Sequence, residues 1–160
     1  MKHTLSVTVD NHPGVLARVA TLFRRRGYNI ESLSVGRTEE PSISRMTIVV
    51  DGDENILEQV TKQLHKLVEV CKIMDITSEE SVDRELALFK VKADPQVRAE
   101  IMQIVDIFRA HIVDIGRKSL IIEATGDEGK INAIEDSLRA FGIMEMVRTG
   151  KVAMVRGPKG

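Results

Sequence analysis

Hydrophobic and polar positions alternate from the first residues of the chain: Leu5, Val7 and Val9 are interleaved with Thr4, Ser6 and Thr8. A period of two predicts a strand with one buried face over residues 4–10. The period then lengthens, with Leu16, Val19, Ala20 and Phe23 at helical spacing, followed by Arg24, Arg25, Arg26 and Gly27. Cations suit the negative end of a helix and glycine suits a left-handed cap, so a helix ends there. Residues 30–37 and 44–51 read as strands, the second alternating Met46, Ile48 and Val50, and the polar residues 39–42 supply the turn of a hairpin. Ile56, Val60, Leu64 and Leu67 mark a second helix, and residues 68–76 return to strand character. The first half therefore reads βαββαβ.

Residues 77–83, TSEESVD, are polar and acidic and carry neither periodicity, which makes them the best candidate linker. Beyond them come a strand over 84–93 and a helix carrying Val97, Ile101, Ile104, Val105 and Phe108. Strands over 112–115 and 120–124, a helix with Ile131, Ile134 and Leu138, and a strand over 143–147 complete the pattern. The order of elements repeats although the residues do not. The fold class is α+β, two ferredoxin-like βαββαβ units, with domains expected at 1–77 and 78–160. In such a unit the helices cover one face of an antiparallel sheet, and the other face needs solvent or a partner. Aromatic residues make up only 3% with no Trp, so aliphatic packing must build the core; Val7, Val9, Leu33, Val35, Met46 and Ile48 are its central candidates.

Composition narrows the functional classes. With 160 residues, 42% hydrophobic and 29% charged, the chain has the balance of a globular protein. Lysine and arginine number 23 against 24 acidic residues, so no global field draws it to nucleic acid or an anionic membrane, and neither is expected as a partner. The single cysteine, Cys71, has no partner for a disulfide or a thiolate metal cage, and no apolar run approaches the roughly 20 residues that span a bilayer. A cytoplasmic location is expected. His3, His12, His65 and His111 lie on different elements without HxxxH spacing, and are expected at the surface with no metal site. Gly126 to Lys130 lacks the glycine spacing and the following Ser or Thr of a phosphate loop, and reads as a polar helix start. The Arg24–Arg26 run reads as a solvated helix end. No nucleophile, base and orienter stand out, so no catalytic residue is assigned.

The segment DNHPGVLARV, from Asp10 to Val19, joins the first strand to the first helix. Asn11 can donate and accept, Pro13 stiffens the loop, and Gly14 admits a close backbone approach. Free amides at Gly14, Val15 and Leu16 would face outward at the positive end of the helix, a seat for a carboxylate. The same residues also suit an ordinary tight turn and N-cap. The longer stretch NHPGVLARVATLFRRRGYNIESLSVGRTEEPSISRMTIVV, residues 11–50, resembles the small regulatory subunit of acetohydroxyacid synthase, also called acetolactate synthase. Its most specific parts are the run from Arg26 to Leu33 and Ser44-Arg45-Met46-Thr47. A generic ACT domain would share only Pro-Gly-Val-Leu. The resemblance continues through residues 62–67, Arg84-Glu85-Leu86 and Arg148-Thr149-Gly150, and so covers nearly the whole chain in order.

The resemblance implies that the first unit is an ACT domain and that the chain forms a homodimer. It implies valine held by Asn11 and the amides of Gly14, Val15 and Leu16 of one copy and by Asn29 and Ile30 of the other; at position 12 it carries only the backbone. Taken alone, Asn29 two residues after a helix-ending glycine is an ordinary turn residue. The resemblance also implies a partner, the large catalytic subunit, which would hold thiamine diphosphate, magnesium and flavin, so no cofactor is expected in this chain. A free-standing sensor or transcription regulator would need a DNA-binding module, and no helix-turn-helix pattern is present; a small enzyme on this fold would show turnover by itself.

Overall fold

The computed structural model describes residues 1–158, and the chain divides into two compact units. One holds Met1–Val82 together with residues 151–158; the other is Asp83–Gly150. The first unit runs β1 (Lys2–Asp10), α1 (Val15–Arg26), β2 (Asn29–Arg37), β3 (Ile43–Asp51), α2 (Glu54–His65) and β4 (Val70–Asp75). Its antiparallel strands lie in the order β2-β3-β1-β4, the ferredoxin-like arrangement the pattern predicts. The second unit is built on β5 (Ser81–Lys92), α3 (Arg98–Ile107), β6 (His111–Ile115), β7 (Ser119–Gly126), α4 (Glu128–Arg139) and β8 (Ile143–Arg148), ordered β6-β7-β5-β8. Of the residues expected as linker, 77–80 form a short turn after Ile76 and 81–83 are the first residues of β5.

In the first unit β1 is central, paired with β3 on one side and β4 on the other, so its inward residues Leu5, Val7 and Val9 are at most 1% exposed. Val15, Val19 and Phe23 of α1 and Leu57, Val60 and Leu64 of α2, spaced by three or four residues, close the core from one side. Helix α1 ends as expected: Gly27 takes φ 69°, its N–H donates to the Arg24 carbonyl, and Tyr28 N–H donates to that of Phe23. The Phe23 and Tyr28 rings then meet edge to face with centroids 6.0 Å apart.

Three expectations change. Val35 is 45% exposed, because it sits late in the edge strand β2, paired only with Met46 of β3, while Leu33 is partly buried against the core. His3 is buried, since β1 starts at Lys2 and puts His3 opposite Val50 on the helix-covered side; its Nε2 lies 3.2 Å from the Gly52 carbonyl oxygen. A ninth strand, β9 (Val152–Val155), was not anticipated. It follows Lys151, whose backbone N–H donates to Ser32 Oγ at 3.1 Å and whose Nζ donates to Thr4 Oγ1 at 3.2 Å. The face of the first sheet away from the helices thus receives a cover from its own chain, and Thr4, Thr47 and Val49 are buried there.

In the second unit Ala87, Phe89 and Val91 of β5 and Leu120, Ile122 and Ala124 of β7 face Ile101 and Val105 of α3 and Ile131, Ile134 and Leu138 of α4. Asp127 caps α4 by accepting from Lys130 N–H at 2.9 Å, so the Gly126–Lys130 segment is the helix start its sequence suggests. Arg84-Glu85-Leu86 and Arg148-Thr149-Gly150, distant in sequence, meet: Arg148 pairs with Glu85, Leu86 N–H donates to Thr149 Oγ1 at 3.1 Å, and Thr149 N–H returns to the Leu86 carbonyl at 3.0 Å. Phe89 is the largest wholly buried side chain of this core. Phe89→Ala should lower the stability of the second unit by about 3–5 kcal/mol, read from its denaturant midpoint by circular dichroism.

Candidate functional site

Helix α1 starts unusually. Gly14 precedes it at φ 90°, ψ -14°, no side chain caps it, and its first turn has no acidic residue. The first helical hydrogen bond runs from Arg18 N–H to the Gly14 carbonyl at 3.0 Å, so the amides before it are left without an intrahelical acceptor. Helices α2 and α4 each satisfy one of theirs, with Asp53 and Asp127, and add Glu54 and Glu128, and α3 has Glu100 in its first turn. Of the four helices, α1 alone offers an outside anion both free amides and the positive end of the dipole without an internal competitor. Gly14 and Leu16 are exposed beside this end, while Val15 turns into the core.

Asn11 is held at the same place. Its backbone N–H donates to the Ser42 carbonyl at 2.8 Å and its Nδ2 to the Pro41 carbonyl at 3.0 Å. Its side chain is thereby held through Nδ2 against the β2–β3 turn. The role of the β2–β3 turn in this anchoring carries no sequence signal, because it is made by main-chain carbonyls. Glu69, also missed, is buried and takes Arg18 on Oε1 at 2.5 Å, while its own carbonyl accepts from Asp10 N–H at 2.9 Å. It ties the end of β1 and the second turn of α1 to the start of β4.

Asn29 and Ile30 lie elsewhere. Asn29 is exposed, with Nδ2 donating to Glu31 Oε1 at 2.8 Å, and Ile30 packs partly against the core. They pair with Asp51 and Val50 at the end of β3, whereas Asn11 is bonded to Ser42, just before its beginning. Eight strand residues separate the two places, roughly 27 Å at a strand's rise per residue. Within one chain, the structure therefore brings Asn11, Gly14, Val15 and Leu16 together and keeps Asn29 and Ile30 apart from them.

No cluster of three His, Cys, Asp or Glu side chains that could hold a metal is present among the described residues, and no helix among them is long and apolar enough to cross a membrane. Cys71 is exposed, yet desolvation raises the pKa of its thiol, and the Asp10 carboxylate that accepts its hydrogen bond raises it further. A raised pKa means less thiolate at neutral pH and a poorer nucleophile.

Comparison with known proteins identifies a family. A family model described as "AHAS small subunit-like ACT domain" matches residues 5–72, and one described as "small subunit of acetolactate synthase" matches residues 84–157. The chain is 62% identical over 159 residues to a probable acetolactate synthase small subunit of Archaeoglobus fulgidus, covering 99% of each. It is 54% identical over 158 residues to the acetolactate synthase small subunit of Mycobacterium leprae, covering 99% of this chain and 94% of that one. The crystal structure of the small subunit from Thermotoga maritima superposes with a TM-score of 0.92 at 45% identity, covering 99% of both chains.

Two outcomes follow from the site itself. Gly14→Ala places a side chain at φ 90° with no atom within 4 Å of the new Cβ, so its cost of about 1–2 kcal/mol should be backbone strain alone, visible as a lowered urea midpoint. At pH 8 the Cys71 thiol should react with iodoacetamide more slowly than free cysteine, the gap closing as pH rises through its elevated pKa.

Proposed function

This chain belongs to the acetolactate synthase small-subunit family and carries an ACT domain in its first unit, and we propose that it is a non-catalytic subunit that activates the large subunit and makes it inhibitable by valine. The observation that carries the reading is the uncapped start of α1 at Gly14, paired with the separation of its complement at the far end of β3.

Strand β2 is an edge, with β3 as its single neighbour in the sheet order, so its other side is open to a second copy. Two such edges related by a two-fold axis pair antiparallel. The start of one β2, Asn29, then comes against the end of the other, Arg37, which is bonded beside Ser44 at the Asn11 end of β3. The 27 Å offset along the strand is removed between two chains, leaving three strand spacings, about 14 Å, between the strand that Asn11 follows and the second copy's β2 for valine and the two asparagine side chains to bridge. The carboxylate of valine then sits on the amides of Gly14, Val15 and Leu16, and its ammonium meets the side-chain oxygens of Asn11 and of Asn29 from the second copy, whose Ile30 borders the isopropyl group.

A ligand bridging two copies biases the dimer only through its different affinities for two arrangements, and couplings of about 1–3 kcal/mol give roughly 5- to 150-fold effects. Condensation of pyruvate with pyruvate or 2-oxobutyrate, with its thiamine diphosphate, magnesium and flavin, is assigned to the large subunit. The test is to titrate valine, leucine and isoleucine calorimetrically and to assay the cognate large subunit with and without this chain. Asn29→His should weaken valine binding on the order of tenfold or more by crowding the seat, while leaving activation near the wild-type level. Wild-type valine affinity in that variant would falsify the bridging site; a large subunit indifferent to the chain would remove the regulatory role.

A further inference from the structure

Helix α1 carries four arginines and no carboxylate, in a chain whose formal net charge is only -1. Solvated helix faces elsewhere in this protein interleave their charges: Lys62 pairs with Glu58 on α2 at 3.0 Å, and Arg139 with Glu135 on α4 at 2.6 Å. On α1, Arg18 reaches Glu69, but Arg25 and Arg26 meet no carboxylate among the described residues. They stand instead on the rim of a groove of about 420 Å³ between α1 and α2, joined there by Lys66 at the end of α2, which also has no acidic partner among those residues. The groove wall is largely apolar, formed by Leu22 and Leu67 with the exposed Thr21 between the cations. Val68, the next residue, is 87% exposed. Three unpaired cations around an aliphatic slot lack the two things such a surface is complementary to, carboxylates and apolar side chains.

We propose that this groove docks an acidic segment of the large subunit, with aliphatic side chains seated over Leu22 and Leu67 and carboxylates reaching Arg25, Arg26 and Lys66. The proposal rests on the regulatory reading above and names the surface through which that reading operates. The charge pattern favours a carboxylate-bearing protein segment over nucleic acid, since no aromatic side chain lines the groove to stack a base. It also gives feedback a short route. Ala17 and Arg18 line one end of the groove and lie one turn from the Gly14 amides, so a single rigid helix presents valine's seat at its start and the docking face along its flank.

The test uses the full-length chain and the cognate large subunit. Reversing the rim in Arg25→Glu/Arg26→Glu/Lys66→Glu should raise the Kd for the large subunit on the order of 30-fold at low salt, mainly through slower association, because like charges then face each other. Wild-type binding should weaken with added salt far more than binding of the triple variant. Thr21→Trp, which fills the slot without changing charge, should raise Kd on the order of tenfold by steric exclusion. Valine affinity and the circular dichroism spectrum of both variants should match wild type, separating lost docking from lost folding. If the wild-type chain fails to bind the large subunit, the regulatory reading falls. If wild-type and both variants bind it equally well, the groove assignment alone falls. Competition by inorganic pyrophosphate for the rim without any effect on large-subunit binding would likewise overturn it, in favour of a free anion site.

Discussion

The first unit depends on one constraint: both of its helices lie on the same face of a four-stranded antiparallel sheet. The central strand must then send every second residue into a core and the rest to the opposite side, and β1 does so with Leu5, Val7 and Val9 against Thr4, Ser6 and Thr8. The second face is lined by short hydroxyl side chains, including Ser32, Thr4 and Thr47, too polar to pack on another apolar layer and partly buried all the same. Lys151 resolves this by hydrogen bonding to Ser32 and Thr4, so the last described residues complete the domain that the first ones begin. Buried hydroxyls left without partners would each cost on the order of 1–3 kcal/mol, which is why the cover has to be polar at its contact points.

The same constraint places the uncapped start of α1. Strand β1 ends at Asp10, the chain must climb to the helical face, and the shortest climb leaves α1 beginning at the rim of the sheet with its amides outward. Glycine at φ 90° permits that approach, where any other residue would be strained. Asn11 is pinned to the β2–β3 turn, and Glu69 with Arg18 pins the other flank, so the amides are presented by a loop held on both sides. Preorganisation of this kind reduces the ordering cost of binding a small ion. Strand β2 is an open edge of the same sheet, and the proposed contribution of Asn29 and Ile30 to that seat runs through a second copy paired there.

Much of this was legible from residue order. Periods of two and 3.6, the Arg-Arg-Arg-Gly helix end and the polar helix start at Gly126 to Lys130 each state a local preference that the tertiary structure agrees with, and the element order βαββαβ follows from them. The misses share a cause. Val35 alternates like a core residue but belongs to an edge strand, His3 looks like a surface residue but falls in register with Val50, and Val152 to Val155 form too short a run for periodicity to show. Each is decided by a neighbour far away in sequence. At the site, the anchors of Asn11 are backbone carbonyls, which every residue type possesses.

Sequence alone therefore determined the α+β class, both helix-covered cores, the candidate carboxylate seat at Gly14 to Leu16 and, through collinear resemblance from Asn11 to Gly150, the family. Tertiary structure decided that Asn29 and Ile30 stand roughly 27 Å from Asn11 along β3. It decided that residues 151–158 group with the first unit, and that Arg25, Arg26 and Lys66 surround one apolar groove. The physical reason is one of range. Periodicity, capping and turn chemistry act within a few residues and are written in order along the chain. Strand register and the meeting of two helices are set by long-range packing, which no local window contains.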